Sequence, residues 1–210
     1  MKKTYTTLAC VLSMLTAHAA DTTEKTVEMP ADVPGFTMQS QLTWYEIDPG
    51  VRTYLILLMA NTMEQTAILE NAAQSGQAVV TPEQQFDMMQ KVIDLTPMDS
   101  LKGEYLEFVK ESSEINKRIV EALKKEKPTN IAGVITVSSR FDAELEALYA
   151  KYPKAAVYFR KDAQMAISLM MMSETDMQRV MMQANMAGKS RDEIMKTVID
   201  HLRRVAADQM

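Results

Sequence analysis

Helix start signals recur along this sequence, and they constrain its fold more than any other feature. A capping residue stands directly before a proline, or three residues before a glutamate, at Asp48-Pro49, Thr81-Pro82, Thr96-Pro97 and Ser190 with Glu193. The capping oxygen accepts a hydrogen bond from a free amide of the first turn, and proline at the first helical position gives up no bond. This repetition predicts a chain built from helices.

The start signals and the breakers between them divide the chain into long predicted helices. These cover about residues 49–74, 82–95, 97–127, 130–151, 153–186 and 190–207, with a break of the fifth helix at Ser173 left open. The stretch 131–137 is rich in β-branched residues, which suits a strand, but its apolar residues keep helical spacing and favour a helix. Within 97–127, Glu114 and Arg118 have the spacing of an i,i+4 ion pair. The predicted class is all-α, a multi-helix bundle with long antiparallel helices and an extended N-terminal lead-in.

The first residues have the pattern of a secretory signal. Lys2 and Lys3 precede a short apolar run at 8–15, and Ala17-His18-Ala19 gives the small-x-small cleavage pattern. The apolar run is shorter than the roughly 20 residues that cross a bilayer. We therefore predict a cleavable signal peptide over 1–19, a flexible or extended lead-in over 20–47, and a helical domain over 48–210. The expected location is periplasmic or secreted.

Cys10 raises an alternative, a lipoprotein anchored at that cysteine. Thr7 stands where such a precursor usually has leucine, and the apolar run continues past Cys10, so cleavage is favoured. Cleavage removes Cys10 and His18, which are the lone cysteine and one of the two histidines. Disulfides are then excluded.

The net charge of −5 disfavours nucleic acid and anionic lipid as partners, because both need clustered lysine and arginine. After cleavage we expect no stable membrane span.

Methionine is the compositional exception, since the chain has 19. Eight of them lie between residues 165 and 186. Thioethers are ligands for soft ions such as Cu(I) or Ag(I), and the spacing of Met177 with Met181 and of Met182 with Met186 lets two sulfurs converge on one helix. Methionine also fills cores and forms adaptable binding faces. Apolar neighbours and the distribution of the methionines around the helix favour core packing. A partner-binding face comes second and a metal site third.

Signals for catalysis are weak. The chain has no glycine-rich phosphate loop, no nucleophile elbow and no zinc-binding H-E-x-x-H motif. His201 is the histidine that remains after cleavage. Without a cysteine, a second histidine or a nucleophile motif beside it, a surface or interface role is favoured over acid–base chemistry. No cofactor and no catalytic residue is predicted.

The leading hypothesis is therefore an exported, non-enzymatic helical protein that acts through protein–protein binding or self-assembly in the cell envelope. One alternative is a periplasmic Cu(I) or Ag(I) binder using the methionine-rich helix. A second is an all-α enzyme with a pocket of carboxylates and arginines drawn from Arg52, Arg140 or Arg160.

Overall fold

The structure is a computed structural model that describes residues 43–74 and 81–209. Throughout these two ranges the regular elements are helices, and no strand occurs in them. The predicted all-α, multi-helix bundle is confirmed. The α-helices are α1 (Pro49–Gln74), α2 (Pro82–Leu95), α3 (Gly103–Glu126), α4 (Ile131–Ser138), α5 (Asp142–Lys151), α6 (Pro153–Phe159), α7 (Lys161–Glu174), α8 (Met177–Met186) and α9 (Arg191–Ala207).

Helices α1, α2 and α9 begin at the capping signals that the sequence carries. The Asp48 carboxylate accepts hydrogen bonds from the amides of Gly50 and Val51, at 2.9 and 3.2 Å. Thr81 and Ser190 each form a complete capping box with the residue three positions later. Each such cap stabilises its helix by about 1 kcal/mol. The predicted bounds of these three helices agree with the structure, and the predicted break after residue 74 lies outside the described residues.

The predicted helix start at Thr96-Pro97 is wrong, because α3 begins at Gly103. The Thr96 hydroxyl donates to the carbonyl of Val92 at 2.7 Å, so this residue terminates α2 instead of capping α3. The segment that follows is held by a tertiary contact, in which the Ser100 hydroxyl donates to the Gly50 carbonyl at 2.9 Å. Helix α3 is consequently about 36 Å long at 1.5 Å per residue, shorter than predicted.

Two further predicted helices are interrupted. The stretch 131–137 is helical as predicted, but a 3-10 turn at Ser139–Phe141 separates α4 from α5. The predicted helix 153–186 breaks at Arg160, whose backbone is extended, and at Thr175-Asp176. Asp176 has a φ of 57°, a left-handed conformation that a non-glycine residue rarely adopts and that ends the helical path. This second break separates the methionine-rich stretch into two helices.

Neighbouring long helices run antiparallel, as predicted. Along α2 and α3 the ion pairs have opposite residue order: Asp94 with Lys117, Asp87 with Lys124, and Glu83 with Lys127. Helix α1 lies between α2 and α9.

Helix α9 is joined to α1 by two ion pairs. Arg203 binds Glu64 at 2.6 Å, and Arg191 binds Glu70 further towards the end of α1. Because both arginines lie on the same helix, these contacts fix its register on α1.

The chain just before α1 is part of the core. Trp44 is 4% exposed and Ile47 is 1% exposed, and both belong to the main apolar cluster. Tyr45 points outward, and its hydroxyl donates to Glu174 at the end of α7 at 2.8 Å. The described end of the predicted lead-in therefore docks on the helical body. The boundaries at residues 19 and 47 remain predictions.

Candidate functional site

The methionine-rich stretch lies on α7 and α8, and the two helices place their methionines differently. On α7, Met171 is 4% exposed, and Met170 and Met172 are half-buried against the main core. Ile167, one turn before Met171, is buried as well. The prediction of core packing is therefore confirmed for these α7 methionines.

Helix α8 buries one side and exposes the other. Met177 and Ala184 are buried, whereas Met181, Met182 and Met186 are 40%, 59% and 82% exposed. At 100° per residue, the three exposed methionines share a contiguous arc with two exposed polar residues. We define the α8 methionine face as Gln178, Met181, Met182, Asn185 and Met186.

The α8 methionine face carries no charge. The charged residue of α8, Arg179, lies at the edge of this arc, and its guanidinium donates to the Asp176 carboxylate at 2.6 Å. Exposed apolar groups that lie beside neutral amides can be buried without the free-energy cost of dehydrating a charged group. The face is thus suited to contact with another macromolecule.

The four methionines predicted as metal candidates are divided by this geometry. Met177 points into the protein, and Met181 lies at the border of the exposed arc. Met182 and Met186 lie one turn apart on the outer side, so their two sulfurs can converge. Elsewhere in residues 43–74 and 81–209, His, Cys, Asp and Glu form no group of three placed to hold a metal ion. Soft-metal binding remains a prediction that rests on Met182 and Met186.

His201 lies half-buried on α9 and contacts the break between α7 and α8. Its Nε2 is within hydrogen-bonding distance of the Thr175 carbonyl oxygen, so Nε2 carries the proton and donates. Thr175 is 2% exposed, and its own hydroxyl donates to the Met171 carbonyl. His201 thereby holds the end of α7 to α9 as an interface residue.

The three arginines considered for an enzymatic pocket occupy separate places. Arg52 lies over the ring of Tyr45 at 6.0 Å, and Arg140 is ion-paired with Glu126. Arg160 lies over a different ring, that of Tyr149, at 5.2 Å. The arginines do not converge, so the enzyme hypothesis gains no pocket from them.

Comparison of the chain with protein families, with curated proteins and with solved structures found no match. Among the helices of the described ranges, none is both long enough and apolar enough to cross a membrane.

The sequence patterns indicated the methionines of the α8 methionine face but not Gln178 and Asn185. The signal that could have found them is a ten-residue helix with no acidic residue in an otherwise acidic chain.

Proposed function

We propose that this chain is an exported, non-enzymatic helical protein that self-associates through the α8 methionine face. The observation that carries the proposal is the exposure of Met181, Met182 and Met186, between 40% and 82%, on one helix. Contiguous exposed apolar groups with a polar surround mark interaction sites. Methionine suits such a site because its unbranched, polarisable side chain adapts to the surface that it meets.

Charge favours a second copy of the chain as the occupant. The net charge is −5 for the whole sequence and −7 once Lys2 and Lys3 leave with the signal, so two copies repel one another wherever acidic surfaces meet. The α8 methionine face avoids this repulsion, because it has no charge and the neighbouring Arg179 is already paired with Asp176. About a two-fold axis, two α8 helices can pair antiparallel, which sets the exposed methionines of one copy against those of the other.

The size of the face limits the strength of the association. A stable interface buries about 800 Å² on each partner. Helix α8 has ten residues and is only about 15 Å long. We therefore expect a dimer that dissociates on dilution, not an obligate dimer.

Sedimentation velocity over a wide dilution series tests this association. The natural chain should shift from dimer to monomer as it is diluted, and the double variant Met182→Lys with Met186→Lys should stay monomeric, because two copies then bring four cations together. Leu95→Lys is the matched control, since Leu95 is 54% exposed but lies on α2, which packs against α1 and α3. A natural chain that is monomeric throughout, or a double variant that still dimerises, would refute the proposal.

Export is tested separately. Expressed from its full-length sequence in a bacterial host, the protein should accumulate outside the cytoplasm with Ala20 as its first residue, as read by intact mass. Changing Ala17 and Ala19 to bulky residues should block this cleavage. Cytoplasmic accumulation of the full-length chain would contradict export, while self-association could still hold.

Soft-metal capture is the second candidate, favoured by the exposure of Met182 and Met186 on adjacent turns. Competition with a Cu(I) chelator should show binding that the double variant Met182→Leu with Met186→Leu loses, because leucine keeps the bulk and removes both thioethers. Equal binding by this variant, or none by the natural chain, would end the metal hypothesis. Because the leucine variant keeps the apolar face, its dimerisation should be retained.

A further inference from the structure

An apolar cavity of about 170 Å³ lies inside the bundle, among α1, α2, α3, α5, α6 and α7. Its lining includes Tyr54, Phe108, Tyr149, Phe159 and Met171. The cavity is separate from the α8 methionine face, since no residue of α8 lines it. Packed cores have few voids much larger than a water molecule, so a space of this size is open to a ligand.

The volume limits what the cavity can hold. A cavity of about 150 Å³ with apolar walls binds benzene, whereas sites for drug-sized molecules begin near 300 Å³. The cavity in this protein therefore matches one six-membered ring with one or two small substituents. A long acyl chain or a fused-ring molecule exceeds it.

The walls favour an aromatic ring over a saturated one. Phe108 stacks on Phe159 with ring centroids 5.1 Å apart, and Tyr54 meets Phe159 edge-on at 6.1 Å. Tyr149 stacks on Phe108 from another side, at 6.1 Å. Such a cluster offers both ring faces and ring edges, and aromatic pairs in offset or edge-to-face geometry gain about 0.5–1.5 kcal/mol beyond burial.

One wall of the cavity changes from apolar to polar along α3. Phe108, Ser112 and Asn116 lie on successive turns of one face, a span of about 12 Å. The Asn116 amide reaches the Ser112 hydroxyl only at 3.5 Å, the outer limit of a hydrogen bond. Both side chains therefore keep bonding capacity for a polar group that enters the cavity.

We propose that this cavity binds a single aromatic ring with one hydroxyl substituent, a phenol-sized molecule. The ring packs against the stacked pair of Phe108 and Phe159, and its hydroxyl bonds to Ser112 and Asn116. A buried hydroxyl costs free energy unless it finds such a partner, so the polar wall selects a phenol over a plain hydrocarbon.

Calorimetric titration of the full chain with p-cresol, toluene and cyclohexanol tests the proposal. We expect saturable binding of one p-cresol per chain, with toluene weaker and cyclohexanol weakest. Ser113→Leu should weaken p-cresol binding at least about tenfold, because Ser113 lines the cavity and is only 8% exposed, so that the larger side chain takes up space in the cavity. Ser173→Leu is the matched control, an exposed serine of α7 outside the cavity, and should leave binding unchanged.

Ser112→Ala separates the hydroxyl contact from simple filling of space. It should weaken p-cresol binding about five- to tenfold and leave toluene unaffected. If circular dichroism shows that Ser113→Leu does not fold, Ser113→Val replaces it as a smaller plug. The proposal would be overturned if p-cresol showed no saturable binding, if cyclohexanol bound equally well, or if the Ser113 variant bound p-cresol as tightly as the natural chain. The double variant Met182→Lys with Met186→Lys should bind p-cresol normally, so this test is independent of self-association.

Discussion

Helices α7 and α8 are both rich in methionine, yet α7 packs Met171 in the core whereas α8 exposes three of its four methionines. Met171 on α7 is 4% exposed, and Met186 on α8 is 82% exposed. Helix α7 faces the main core and the aromatic cavity, whereas α8 packs chiefly on α9 and, among the described residues, exposes its opposite side. The difference teaches that the role of a methionine depends on the elements around its helix more than on the local sequence.

Truncation of the two methionines should show the largest contrast. Met171→Ala should lower the free energy of unfolding by about 2–5 kcal/mol, because it removes buried contacts and leaves a void. Met186→Ala should change it by less than about 0.5 kcal/mol, since the side chain is mostly solvated. Urea unfolding followed by circular dichroism measures both. Equal effects would break the comparison between the two helices.

The junction between α7 and α8 should be next in effect. His201→Ala removes the donor to the Thr175 carbonyl and should cost about 1–3 kcal/mol, because a buried acceptor is left unpaired. Hydrogen exchange should rise locally at the amides following Thr175. His201→Gln can still donate and should recover part of the loss. A uniform rise in exchange along the chain would argue against a local role for His201.

The packing of the core around Tyr54 can be tested by following the ionisation of this tyrosine as the pH is raised. Burial raises the pKa of Tyr54 to about 12. Since this exceeds the value of about 10 in an unfolded chain, the stabilising contribution of neutral Tyr54 is complete below pH 10 and is lost as the pH rises to about 12. Tyrosine absorbance should show a ring that ionises near pH 12 and that Tyr54→Phe removes. Ionisation of Tyr54 with the exposed tyrosines would contradict a closed core.

Oxidation should change stability least while discriminating most clearly between the helices. Dilute peroxide should convert Met186 and Met182 to sulfoxides before Met171 and Met177, as followed by peptide mass spectrometry. Met171 and Met177 should react only when the protein unfolds, because both are buried. Loss of the exposed thioethers should alter the free energy of unfolding by less than about 0.5 kcal/mol. Early oxidation of Met171 would show that α7 opens in the native state.

The ion pairs of α3 show which contacts sequence spacing predicts and which it does not. The spacing of Glu114 and Arg118 predicts a pair within α3, but Arg118 binds Glu144 on α5, and Glu114 binds Lys117. Both carboxylates were within reach of the arginine in principle, and the packing of α5 beside α3 decided between them. The aromatic cavity was equally hidden, because its walls come from six helices and no local pattern connects them.

The sequence by itself determined the helical class and the starts of α1, α2 and α9. Those starts depend on bonds that span three residues, such as Ser190 with Glu193, so neighbours in the chain suffice to form them. Only the tertiary structure decided that Thr96 closes a helix, where the Asn61 amide of α1 donates to its hydroxyl, that Asp176 divides the methionine-rich stretch, and that α8 exposes three of its methionines. The physical reason is that burial is a property of packed elements, and packing joins residues that the sequence separates.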